Sequence, residues 1–200
     1  MEIDNKRVLG LELATDPRWV DLTTLSLQEI LTDHAYCEQK AAVSCISLIQ
    51  KYSEYPKLVD ELSPIVTEEW GHFRMVLKEL KKRNLILGKQ RKDEYVNQLQ
   101  NFVRKGVGYK EHLLDRLIVC AMIEARSCER FRLLSLNLDD QELKVFYHQF
   151  MVAEAAHYRL FLNLSEELTT AELTQERWTD CIKFETEIIN NLSLRGDRMH

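Results

Sequence analysis

Turn-forming residues are scarce in this chain. Three prolines and six glycines among 200 residues are too few for a turn-rich β fold, and they favour long helices instead. No stretch approaches the roughly 20 uninterrupted apolar residues of a membrane span, so no membrane association is expected. The start, Met1-Glu2-Ile3-Asp4, lacks a basic region followed by an apolar one, so no signal peptide is expected. Cysteine occurs five times, at 37, 45, 120, 128 and 181, an odd count without any Cys-x-x-Cys. That usage argues against a disulfide framework and for reduced thiols in the cytoplasm.

What the chain does have is two short motifs, Glu69-Trp70-Gly71-His72 and Glu154-Ala155-Ala156-His157. Residues three apart share a helical face, so each motif aims a carboxylate and an imidazole in one direction. Glu38 lies 31 residues before Glu69, and Glu124 lies 30 before Glu154. Each glutamate also sits on the apolar face of its own helical stretch. The first face reads Leu27, Leu31, Glu38, Ala42, Cys45, Ile49, and the second Ile65, Glu69, His72, Val76, Leu80. The third reads Leu113, Leu117, Cys120, Glu124, Cys128, Phe131, and the fourth Phe146, Phe150, Glu154, His157, Phe161, Leu164. A buried carboxylate shifts its pKa, pairs, or binds metal. Four of them with two histidines make an unstable core without a cation. The competing reading is a set of rim glutamates paired to Lys or Arg.

Two Glu-x-x-His helices plus one Glu from each of two others is the pattern of ferritin-like di-iron bundles. The expected fold is therefore all-α: a ferritin-like four-helix bundle with a crossover element and an additional C-terminal helix. The whole chain, 1–200, reads as one such domain. Residues 1–22 form an irregular lead-in from which Trp19 and Leu22 pack back on the bundle, and 195–200 fray. Bundle helices are expected over about 26–52, 64–83, 110–136 and 139–168, with Ser63-Pro64 starting the second and Asp139 capping the fourth. A crossover helix is expected over about 92–105, ended by Gly106-Val107-Gly108, and a fifth helix over 170–194. Glu38 to Glu124 and Glu69 to Glu154 span 86 and 85 residues, so the chain carries a weak internal duplication.

The metal ligands expected on this pattern are Glu38, Glu69, His72, Glu124, Glu154 and His157. Oxygen and nitrogen donors in this ratio suit iron or manganese better than closed four-coordinate zinc. By analogy with the bundle class, Glu69 and Glu154 bridge two metals, Glu38 and Glu124 are terminal, and each metal takes one histidine. Six protein ligands on two metals leave open positions, which dioxygen activation needs. Around them, Glu68 reads equally as a partner for a ligating histidine or as a solvent-facing residue. His34, one turn before Glu38, reads as a satisfied histidine rather than a seventh ligand. Tyr36, Tyr147 and Tyr158 read as packing residues, and Cys37 points away from the site.

Charge is uneven. Between Lys78 and Lys92, seven basic residues (Lys78, Lys81, Lys82, Arg83, Lys89, Arg91, Lys92) face one acid, Glu79. The window carries +6 and leaves −11 for the rest of a chain of net −5. Capping a helix end needs fewer cations than this. The run is either a solvated helix end or the footprint of a polyanion.

Four stretches resemble a known family. Asp33-His34-Ala35-Tyr36-Cys37-Glu38-Gln39-Lys40-Ala41-Ala42 is similar to the first ligand helix of the tRNA hydroxylases of the MiaE type. Glu68-Glu69-Trp70-Gly71-His72-Phe73 looks like their second. Ile123-Glu124-Ala125-Arg126-Ser127-Cys128-Glu129-Arg130-Phe131 looks like the third, and Ala153-Glu154-Ala155-Ala156-His157-Tyr158 the fourth. The resemblance covers about residues 15 to 195, with all six ligand positions matched. It implies a non-haem di-iron monooxygenase with two Fe ions, using O2 and external electrons from an unidentified donor. The implied substrate is 2-methylthio-N6-isopentenyladenosine, 3′ of the anticodon in the tRNA anticodon stem-loop, hydroxylated on its prenyl side chain. A tRNA partner accounts for the basic window, and a monomer or dimer suffices. The alternatives are a ferritin-like iron-handling or peroxide-consuming protein without a nucleic-acid substrate, and a binding module in which metal only stabilises the bundle.

Overall fold

The computed structural model describes residues 9–200, so the first eight residues of the expected lead-in, including the start read for a signal peptide, lie outside the described residues. Among the described residues the regular structure is helical: α1 (Arg18–Thr24), α2 (Leu27–Lys51), α3 (Pro56–Lys82), α4 (Glu94–Leu99, continued by a 3-10 turn Gln100–Phe102), α5 (Tyr109–Asn137), α6 (Gln141–Leu168) and α7 (Ala171–Asn191). No described helix is long and apolar enough to cross a membrane.

The described chain divides into two compact units. One is built on α2 and α3, with the segment up to Lys92 and the tail Arg195–Met199. Residues 52–55 join its two helices into a hairpin. Leu31, Leu48, Leu58, Leu62 and Val76 form its buried apolar faces. The other unit contains α4 to α7, the described residues up to Val20, and His200. Its hairpin is α5 and α6, joined by residues 138–140, with α7 against both helices and α4 against α7. Each unit therefore holds one Glu helix followed by one Glu-x-x-His helix.

The four bundle helices occupy the expected stretches, and the differences lie at their ends. Residues 18–24, expected as irregular lead-in, form α1. Its Trp19 is fully buried beneath the Arg130 guanidinium, 5.0 Å from the ring centroid. Pro64 does not start a helix: α3 begins eight residues earlier, with Pro56 in its first turn, and Pro64 lies inside it on the exposed face. Burial of Leu58 and Leu62 on the opposite face offsets the hydrogen bond that a helical proline forgoes. The crossover helix is shorter than expected. Arg104 leaves it to donate its backbone N–H (3.0 Å) and its guanidinium (2.8 and 3.0 Å) to buried Asp115. The α6 cap is Asp140, not Asp139: its carboxylate accepts from the N–H groups of Glu142 (2.9 Å) and Leu143 (3.1 Å).

The tail, expected to fray, is tied down. Met199 is buried and its N–H donates to Asp33 at 2.8 Å. Asp197 accepts from Arg91, Arg195 and Arg198. A buried network of the α5 unit also escapes sequence patterning. Arg126 donates to Glu185 (2.7 and 2.9 Å), Glu129 (2.9 Å) and the Leu13 carbonyl (3.0 Å). Glu129 in turn accepts from Thr15.

Candidate metal centre

Glu38 projects from the middle of α2, and Glu69 and His72 from one face of α3. Ala42 and Cys45 on one helix, and Ile65 and Val76 on the other, are buried beside them and set that face inward. His72 Nδ1 lies 3.4 Å from a Glu38 oxygen and 3.5 Å from a Glu69 oxygen. The three residues offer ligand atoms all within 4.8 Å of one another. In the other hairpin, Glu124 of α5 and Glu154 and His157 of α6 do the same, within the same limit. Their neighbours Phe150 and Phe161 are buried. All six sequence-predicted ligands are thus buried and gathered by threes. His72 is the most exposed at 9%, and Glu69 is nearly inaccessible at 1%.

Electrostatics within the α2–α3 triplet are those of a site short of positive charge. Burial, and then the charge of Glu69, push the Glu38 carboxyl up to about 8. Burial by itself lowers the His72 imidazole, but its contacts with Glu38 and Glu69 outweigh that and push it up to about 10. These shifts leave both Glu38 and His72 protonated at neutral pH. Buried oxygen donors with one imidazole per triplet fit a divalent iron or manganese ion.

The structure also places the neighbouring side chains. His34 is fully buried, with Nε2 2.8 Å from a Glu38 oxygen. The Glu68 side chain is 48% exposed and stands 3.9 Å from His72 Nε2, in ion-pair range beyond hydrogen-bond range. Tyr36 donates to the Gly88 carbonyl at 3.1 Å, Tyr147 packs on Phe131 and Phe146, and Tyr158 packs on Trp178. His34 was visible in sequence one turn from Glu38, but the contact between the two was visible only in the folded protein.

The basic window separates into two kinds of residue. Arg83 is held by Glu79 at 2.7 Å, and Arg91 by Glu29 and Asp197. Lys78, Lys81, Lys82, Lys89 and Lys92 are exposed.

The chain is similar to proteins of known name. Residues 4–200 match the family described as tRNA-(MS[2]IO[6]A)-hydroxylase (MiaE). A Pseudomonas putida protein named tRNA 2-(methylsulfanyl)-N(6)-isopentenyladenosine(37) hydroxylase is 38% identical over 151 residues, covering 76% of this chain and 72% of that one. A Salmonella typhimurium protein of the same name is 27% identical over 220 residues, covering 86% and 78%. A solved structure described as protein 43 with aldehyde deformylating oxygenase activity, from Synechococcus, matches with a TM-score of 0.89 at 33% identity. It covers 95% of this chain and 94% of its own. The fold is ferritin-like.

Proposed function

This chain belongs to the tRNA-(MS[2]IO[6]A)-hydroxylase (MiaE) family, and from that premise we propose that it is an O2-dependent di-iron monooxygenase acting on tRNA. Its reaction is hydroxylation of the isopentenyl side chain of 2-methylthio-N6-isopentenyladenosine, 3′ of the anticodon. The observation that carries the reading is the pair of buried Glu, Glu, His triplets, one in each helical hairpin. Glu38, Glu69, His72, Glu124, Glu154 and His157 are the six ligands in this reading, and the chain works as a single ferritin-like domain. Four carboxylates balance the charge of two divalent irons.

Bound there, a di-iron centre supplies reductive activation of O2: one oxygen atom enters a prenyl C–H bond, and the other leaves as water with two electrons and two protons from an external donor. The chain's own residues do the rest. His34 orients Glu38, and Glu38 and His72 give up their protons to admit metal. Ile65 and Val76 exclude water beside the α2–α3 ligands, and Phe150 and Phe161 do so beside the α5–α6 ligands. The exposed lysines of the basic window attract tRNA phosphates. The modified base has to leave the anticodon-loop stack to reach buried ligands. The protein acts in the cytoplasm as a monomer or dimer. Iron storage or peroxide consumption needs no polynucleotide surface.

The test is direct. Iron-loaded protein, a chemical reductant and isotopically labelled O2 are given an anticodon stem-loop carrying the methylthiolated, isopentenylated adenosine. Labelled oxygen is expected in the prenyl group of that nucleoside by mass spectrometry. Glu154→Ala is expected to lose bound iron and turnover together. The activity named for the Synechococcus protein motivates a parallel aldehyde assay. Consumption of the aldehyde with the RNA untouched would overturn the tRNA reading.

A further inference from the structure

The outward face of α3 carries a pattern that the metal ligands do not use. Trp70 follows Glu69 directly, so it projects about 100° around the helix from that ligand. It is 46% exposed, whereas Trp19 and Trp178 are buried. Its ring tilts against Phe73 with centroids 4.9 Å apart, which steadies the indole and leaves much of it facing solvent. Toward the C-terminus, Arg74, Lys78 and Lys81 follow, all exposed. At 100° per residue, these three fall within a sector of about 80° from Trp70. The same sector holds no carboxylate between Ser63 and Lys81. Among the described residues, none of the three cations is held in an ion pair or hydrogen bond.

Helix-end capping does not account for this row. Trp70 and Arg74 lie more than a turn from Lys82, beyond the reach of the terminal dipole. On a chain of net charge −5, a cationic row leading away from an exposed indole complements a polyanion that also has flat faces to stack. Duplex nucleic acid offers phosphates but keeps its base faces covered. Unpaired RNA offers both.

We propose that Trp70 is a stacking platform for an unpaired nucleotide of the RNA substrate, with Arg74, Lys78 and Lys81 following the phosphates of the same strand. This deepens the tRNA reading and rests on it. It gives the strand a direction on the protein, with the loop at Trp70 and the stem toward Lys81. The same turn of α3 carries His72, the most exposed of the six candidate ligands. A base held on Trp70 keeps the loop unstacked beside the side of the site nearest solvent.

Binding of an unmodified anticodon stem-loop RNA tests the proposal. Trp70→Leu keeps an apolar cover on Phe73 but removes the π face. It is expected to weaken stem-loop binding roughly tenfold without altering the salt slope. Trp70→Phe is expected to retain most of the affinity. Arg74→Ala is expected to flatten the salt slope by about one unit. Because Trp70 is the exposed indole, stem-loop binding should quench tryptophan emission in the wild type and not in Trp70→Phe. Melting temperatures establish that each variant is folded. Wild-type affinity in folded Trp70→Leu overturns the proposal. So does an equal loss of binding to a blunt RNA duplex, which has no unpaired base. Either result leaves the family reading intact if wild-type protein still hydroxylates the modified stem-loop; absence of that turnover is a failure of the family reading itself.

Discussion

Glu38 and His72 hold more protons in the metal-free fold than they would in an unfolded chain. Glu38 sits at about 8 against an ordinary 4.5, and His72 at about 10 against 6.5. His34 and Glu69 face the first group, and Glu38, Glu69 and Glu68 face the second. Both values are raised, so the folded state binds the extra protons. The stability that these groups contribute is complete below their unfolded values and is lost as pH rises through the folded ones. The metal-free protein is therefore expected to melt at progressively lower temperature from about pH 4.5, the ordinary Glu38 value, to about pH 10, the folded His72 value. The iron-loaded protein should change less, because metal replaces both protons. Anaerobic addition of Fe(II) near pH 7 should release protons to a buffer indicator. Metal uptake without proton release would contradict this description of the site.

Among the helices, side-chain hydrogen bonds fix the starts of α4, α6 and α7, through Asp93, Asp140 and Thr170. Asp139 and Asp140 are equivalent caps by composition. Leu138 is buried, and its N–H still bonds to the Leu134 carbonyl, so the chain turns inward there. That turn leaves Asp139 exposed and aims Asp140 at the first turn of α6. Asp140→Ala is expected to cost about 1 kcal/mol of unfolding free energy. Asp139→Ala should stay within about 0.5 kcal/mol. Urea denaturation of the two variants checks this, and equal effects would mean that the cap is shared. Asp115 ends the crossover helix in the same manner, by drawing Arg104 out of it. Burial by itself raises the Asp115 carboxyl, but hydrogen bonds from Arg104 and Arg177 outweigh that and hold it below the ordinary range.

For the protein as a whole, the question is which charges remain available to a polyanion. Arg83 and Arg91 belong to the basic window by sequence, yet both are engaged by acids of their own unit. Lys78, Lys81 and Lys89 are exposed and, among the described residues, make no ion pair. Replacing these three lysines with Ala is expected to flatten the salt slope of tRNA binding by about three units, at roughly 0.9 per phosphate contact. Arg91→Ala should instead lower the melting temperature, because Glu29 and the tail at Asp197 lose their partner. Fluorescence anisotropy across a salt series, paired with thermal melts, separates the two classes. An unchanged slope in the triple variant would make the lysines a solvated helix end.

The helices, and the six candidate ligands that the fold buries and gathers by threes, were legible in the amino-acid order alone. Both are written in short-range spacing: apolar residues at helical period, and Glu-x-x-His on the same faces as Leu and Phe. A glutamate on an apolar helix face is costly to bury unless a cation or a partner neutralises it, so four of them mark a site. Contacts between residues distant in the chain were legible only in the folded protein. Folding placed His34 against Glu38, engaged Arg91 with Asp197 and anchored Met199 on Asp33. It let α3 run through Pro64, because burial of Leu58 and Leu62 outweighs one missing hydrogen bond. It also left Trp70 in solvent while burying Trp19 and Trp178. Local periodicity sets which face of a helix is apolar, but only packing sets which members of a charged or aromatic set are left for a partner.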